Sequence, residues 1–158
     1  MEVLSSRLLL RPQNLERSLD FYAGTLGLPV YREFGAGRQY GVVFFTGGGY
    51  LEVSGELAAA PADSTTAAPA DSTTAAPADS TTAAPGGAGP DASGIALWLQ
   101  VRDATAEVGR LAAAGVPVVR AVQREPWGLV EGWIEDPDGM RIGIVEVPAD
   151  HPLRRRVD

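Results

Sequence analysis

Between Pro61 and Ala84 the octet Pro-Ala-Asp-Ser-Thr-Thr-Ala-Ala occurs in three perfect copies, beginning at Pro61, Pro69 and Pro77. The octet contains no large apolar side chain, so it has nothing to bury against the entropy cost of ordering its backbone. The flanks, 58–60 and 85–93, are equally poor in core formers. This composition predicts a flexible linker over residues 58–93, a spacer rather than a partner-binding segment. Any core must then come from two pieces of comparable size, residues 1–57 and 94–148, with 149–158 left as a tail. At 158 residues the chain suits one domain, so both pieces are expected to build a single core.

The two pieces carry the same pattern. The first opens on an alternating run from Arg7 to Pro12 and continues as a helix from Asn14 to Leu26, with Asn14 as N-cap and Gly27 as the stop. Strands at 30–34, 39–46 and 50–54 follow, separated by glycine turns at 35–37 and 47–49. The second piece repeats the order with a strand at 95–101, a helix at 104–114 closed by Gly115, and strands at 117–123, 129–135 and 141–147. Asp136-Pro137-Asp138-Gly139 makes the tight turn between the last two. The fold class is therefore α+β, two tandem βαβββ modules.

Composition removes several chemistries. With no cysteine, the chain has no disulfide, thiol nucleophile or thiolate metal site. Its one histidine, His151, stands in the tail with no second donor nearby and is expected to be an exposed imidazole. No Gly-x-Ser-x-Gly motif supports a serine nucleophile. A net charge of −7, with the one dense basic cluster at Arg154 to Arg156, argues against a nucleic-acid partner. No apolar run reaches 18 residues and the first residues lack a signal-peptide core, so no membrane partner is expected and the location is expected to be cytoplasmic.

Residues 15–29, Leu-Glu-Arg-Ser-Leu-Asp-Phe-Tyr-Ala-Gly-Thr-Leu-Gly-Leu-Pro, and residues 135–145, Glu-Asp-Pro-Asp-Gly-Met-Arg-Ile-Gly-Ile-Val, resemble the vicinal oxygen chelate superfamily, which includes glyoxalase I, extradiol dioxygenases and bleomycin resistance proteins. The Pro126-Trp127-Gly128 turn is similar to one in the bleomycin-resistance type. The resemblance implies mostly antiparallel modules curled into half-barrels, with helices on the convex side and the ligand cavity on the concave side. It also implies a homodimer with cavities where subunits or modules meet. Metal-dependent members place donors at positions that map to Arg7, Glu52, Ala96 and Gly143. One carboxylate beside an arginine cannot satisfy a transition metal, so neither metal nor cofactor is expected.

Period-two alternation sorts the strand faces. Arg7, Leu9 and Arg11 are expected to face the cavity, as are Glu52, Ala96, Trp98 and Gln100. Glu131, Trp133 and Glu135 join them, and Trp127 stands at the cavity mouth. Glu52 is expected to pair with Arg7 or Arg11 across the sheet. On strand 39–46 both faces are apolar; we place Tyr40, Val42 and Phe44 inward. The expected ligand-binding set is Arg7, Tyr40, Phe44, Glu52, Trp98, Trp127, Glu131 and Trp133, with no catalytic residue assigned. Aromatic walls with a few carboxylates suit a planar, partly cationic or polyhydroxylated molecule. The expectation is sequestration of an aromatic natural-product antibiotic, bleomycin-, mitomycin- or enediyne-like. The alternative is a metal-independent lyase, isomerase or cyclase of the same fold, with Glu52 or Glu131 as base.

Overall fold

The computed structural model describes residue 2 and residues 4–55 and 94–154. The expected linker at 58–93 lies outside the described residues. Two four-stranded sheets, ordered β1-β4-β3-β2 and β5-β8-β7-β6, carry the same topology. The first comprises β1 (Arg7–Leu10), β2 (Val30–Phe34), β3 (Gly41–Phe45) and β4 (Tyr50–Ser54). The second comprises β5 (Ala96–Val101), β6 (Val118–Arg124), β7 (Val130–Glu135) and β8 (Arg141–Glu146). In each module the opening strand lies parallel to the last and the remaining pairs are antiparallel. The α+β pair of curved, open βαβββ modules is therefore present. Register breaks in β2 and β6 mark bulges, which bend the outer strands.

Local chemistry explains where the helices begin and end. The Asn14 side chain accepts from the Arg17 N–H at 3.0 Å, and the Asp103 carboxylate does the same for Ala106 at 2.8 Å. Helix α2 (Ala104–Ala113) closes with the Val116 N–H bonded to Leu111 O and that of Gly115 to Ala112 O, while Gly115 takes φ +84°. Ala at position 115 should cost about 1 kcal/mol, because a Cβ is strained in that left-handed conformation; urea unfolding measures it, and an unchanged midpoint would contradict this account of the cap.

The first helix departs from the expected regular run. It is α-helical over α1 (Leu15–Leu19) and widens to a π-helical turn over Asp20–Thr25. That turn carries two adjacent buried rings, Phe21 and Tyr22, packed edge to face at 5.0 Å. A wider turn turns both toward the core, which one stripe of a regular helix does not do.

Both modules share one core on the helix side of their sheets: Tyr22, Phe44, Leu51 and Val53 from the first, Val108, Leu111, Ile134, Ile142 and Ile144 from the second. Polar contacts reinforce this junction. The Tyr22 hydroxyl donates to Asp136 Oδ2 at 2.7 Å, Arg17 Nη2 to Pro137 O at 2.9 Å, the Gln13 N–H to Asp138 Oδ2 at 2.9 Å, and Arg110 Nη1 to Thr25 O at 2.9 Å. First burial, then the Asp136 charge, push the Tyr22 pKa far up, so the phenol remains a donor. Because the modules join through their helix sides, the opposite sheet faces remain outward.

Candidate functional site

On the first module the outward face is organised around Glu52, which is 7% exposed. Arg7 Nη1 reaches Glu52 Oε2 at 2.7 Å, Arg11 Nη2 reaches Oε1 at 3.4 Å, and the Ser54 hydroxyl donates to Oε1 at 3.3 Å. The expected pairing across β1 and β4 is present with both arginines. Burial alone would raise the Glu52 pKa; the hydrogen bonds from Arg7 and Ser54 and the charges of Arg11 and Arg7 outweigh it, and the net shift is downward. A cavity of about 340 Å³ opens beside the carboxylate, with Arg11, Phe34, Gln39 and Ser54 in its wall.

A carboxyl held below its unfolded value stabilises the fold above the ordinary glutamate range, and that contribution disappears as pH falls through the folded-state value. The melting temperature should accordingly drop on acidification below 4.5, the unperturbed glutamate value. Glu52→Gln should lower it at neutral pH and flatten this acid slope. An acid slope identical in the two proteins, followed by calorimetry, would assign the loss to other carboxylates.

On the second module Arg120 bridges two carboxylates that are each 6% exposed, Glu125 at 2.6 Å and Glu131 at 3.3 Å. Its guanidinium also lies 5.8 Å from the centre of the Trp133 ring, within cation–π range. Trp127 Nε1 donates to Glu131 Oε1 at 3.0 Å. Trp98 and Trp133 are both register partners of Gly143, one on each side. A Cβ on Gly143 would stand 3.3 Å from the Trp133 ring, so the absent side chain gives that indole its place. Trp98 is 45% exposed on this face and Trp127 57% exposed at its edge.

The structure thus brings Arg7 and Glu52 together on one face, and Trp98, Trp127, Glu131 and Trp133 on the other. It moves Tyr40 and Phe44. Phe44 is fully buried in the shared core with its ring centre 6.2 Å from that of Tyr22, opposite Leu51. Tyr40 packs at the edge of the same core and donates to Glu33 Oε2 at 2.9 Å, a bond that raises its pKa. The outward set on β3 is instead Gly41, Val43 and Phe45, register partners of Ser54, Glu52 and Tyr50. Both faces of this strand are apolar, so alternation carries no polarity contrast to orient it.

Five further groups belong to these faces. Arg120 and Glu125 are five residues apart, opposite in a regular strand; the register break between Arg120 and Gln123 sets them side by side. Phe45 and Tyr31 flank Tyr50 at 5.9 and 4.7 Å between ring centres, an aromatic corner on the first face. The pairing of position 45 with 50 shares the parity of Glu52 and was available from alternation, whereas the bulge was not.

The four positions that correspond to metal donors do not fit a metal. Arginines take both oxygens of Glu52, Ala96 has no donor group, and Gly143 lies under the Trp133 ring. A transition metal needs three or four donors at fixed geometry. Among the described residues no group of three or more His, Cys, Asp or Glu side chains could hold an ion.

Two repeated βαβββ modules with curved, open sheets, whose outward faces carry aromatic and paired charged side chains, define the class of tandem-module α+β folds to which this chain belongs. The chain belongs to the Glyoxalase/Bleomycin resistance protein/Dioxygenase superfamily, whose sequence profile matches residues 5–144. No curated protein matches it. Among solved structures it is similar to TnmS3, an antibiotic binding protein from Streptomyces sp. CB03234, at 19% identity and a TM-score of 0.61 over 93% of this chain and 98% of that one. TioX from Micromonospora sp. ML1 is similar at 18% identity and a TM-score of 0.58, over 90% and 97%. A lactoylglutathione lyase from Agrobacterium tumefaciens is similar at 18% identity and 0.57, over 92% and 94%. At these identities the likeness extends to the fold. Among the described residues, no helix is long and apolar enough to cross a membrane.

Proposed function

We propose that this protein binds a planar aromatic natural-product antibiotic without metal and sequesters it unchanged in the cytoplasm. The observation that carries this reading is the second module's outward face, where Trp98 stands 45% exposed beside a glycine, with Trp133 on that glycine's other side. Two indoles side by side on one sheet face form a contiguous apolar patch of the kind that marks an interaction site, and a flat ring system covers it by stacking. Glu125 and Glu131 share one cation, Arg120, so the cluster keeps a net negative charge that favours positive charge on the ligand. The antibiotic-binding TnmS3 shares the fold, which supports the class of ligand.

We also propose that the working form is a homodimer. Each face is half of an enclosure: Leu9, Tyr31, Phe45 and Trp98 are all 41% exposed or more in one chain. A second copy closing over these faces buries them and supplies the opposite wall. Sedimentation should give twice the mass of one chain, and a monomer at micromolar concentration would contradict this.

The metal-independent enzyme is the weaker reading. A general base at neutral pH needs a raised pKa. Glu52 is shifted the other way, and Arg120 engages Glu131. Titration with bleomycin-, mitomycin- and enediyne-type compounds separates the readings. Saturable quenching of tryptophan fluorescence with the compound recovered intact supports sequestration, and turnover supports the enzyme.

A further inference from the structure

His151, expected as an idle tail imidazole, is seated against the turn that carries Trp127. Its Nε2 lies 2.9 Å from the Trp127 carbonyl oxygen, and its Nδ1 lies 3.2 Å from the Leu153 backbone nitrogen. A backbone N–H can only donate, so Nδ1 accepts and Nε2 carries the proton that goes to Trp127. Two backbone bonds hold the residue in place: its N–H donates to Pro148 O at 3.0 Å, and its carbonyl accepts from the Arg154 N–H at 2.9 Å. The turn is shaped to receive the ring. Gly128 has φ +93°, and a Cβ there would meet His151 Cδ2 at 3.1 Å. The turn is closed by the Gly128 N–H bonded to Glu125 O at 2.8 Å, and Trp127 is tied back to the face through Glu131.

We propose that His151 is a positioning residue, a strap that holds the Trp127 turn over the second module's outward face while the imidazole is neutral and loosens it on protonation. Protonation adds a hydrogen at Nδ1 that faces the Leu153 N–H, donor against donor. Either the ring swings away from Trp127 and frees the turn, or the 3₁₀ turn at Pro152–Arg154 opens and releases the backbone bond from Arg154 that helps hold the ring in its seat against Gly128. The neighbouring charged groups are Asp150 and Arg154 on the same segment and Glu125 and Glu131 on and behind the turn. None of them bonds the ring: Glu125 is held by Arg120 and Gln123, and Glu131 by Arg120 and Trp127. Weaker ligand binding in acid follows, a consequence that rests on the proposed reading of this face as a ligand site.

Because the chain has one histidine, its ring nitrogens give unambiguous nitrogen-15 resonances in the full-length protein. At pH 8 Nε2 should appear protonated and Nδ1 bare. On acidification from pH 8 to pH 5, the Trp127 indole signal, assigned with Trp127→Phe, should move together with the His151 ring resonances. In His151→Gln, whose carboxamide can accept from Leu153 and donate to Trp127, that movement should vanish with the fold intact. Ethidium, a planar cationic probe, should bind about three- to tenfold more weakly at pH 5 than at pH 8, the worth of roughly one hydrogen bond, and this difference should shrink below about twofold in His151→Gln. A Trp127 signal indifferent to His151, or one that titrates equally in the variant, overturns the strap. Ethidium that fails to bind at either pH counts against the ligand reading, while the resonances still decide the strap.

Discussion

Replacing Asp136 by Ala is expected to destabilise the fold by about 3 to 5 kcal/mol. This carboxylate is 7% exposed and serves three donors: the Asp138 and Met140 N–H groups at 2.9 and 2.8 Å through Oδ1, and the Tyr22 hydroxyl at 2.7 Å through Oδ2. Hydrogen bonds to a charged group are worth about 1.5 to 3 kcal/mol each, and a buried phenol left without an acceptor costs a further 1 to 3, roughly. The sum overshoots because the turn amides are partly exposed and recover water. Asp136→Asn retains an acceptor and should lose about half as much. Urea unfolding measures both; a loss below about 1 kcal/mol for the alanine variant would show that the Tyr22–Asp136 bond contributes little to holding the two modules together.

Replacing Trp98 by Ala should weaken aromatic-ligand binding by about 1 to 3 kcal/mol, a five- to 150-fold loss, with little effect on stability. The side chain is 45% exposed, so truncation leaves no buried cavity. Trp133 differs from it. With Arg120 over its ring and Gly143 against it, the side chain is packed into the face, so Trp133→Ala should lower both affinity and stability. Equal affinities for native protein and Trp98→Ala, measured calorimetrically, would remove the indole platform from the site.

The sequence pattern carried the fold because each module's punctuation is chemical: Asn14 and Asp103 cap helices, Gly115 ends one, and Asp136 organises a turn. The Arg7–Glu52 pair was also legible, since period two puts charged residues of neighbouring strands on one face. Legibility failed wherever that period broke or lost its contrast. Strand β3 is apolar on both sides, so Phe44 and Phe45 were interchangeable until the core claimed Phe44. The bulge between Arg120 and Gln123 joined Arg120 to Glu125, which a regular strand would hold on opposite faces. His151 meets Trp127 across 24 residues of sequence, a contact that no local pattern encodes.

Native mass spectrometry of the full-length protein, stripped of metal by chelation and mixed with a planar aromatic antibiotic that quenches its tryptophan fluorescence, tests the central claim directly. The predicted result is a dimer carrying the antibiotic at its unaltered mass, with no transition metal, and with occupancy unaffected by chelation. A chemically altered product, or binding that returns only when a divalent metal is restored, would contradict it.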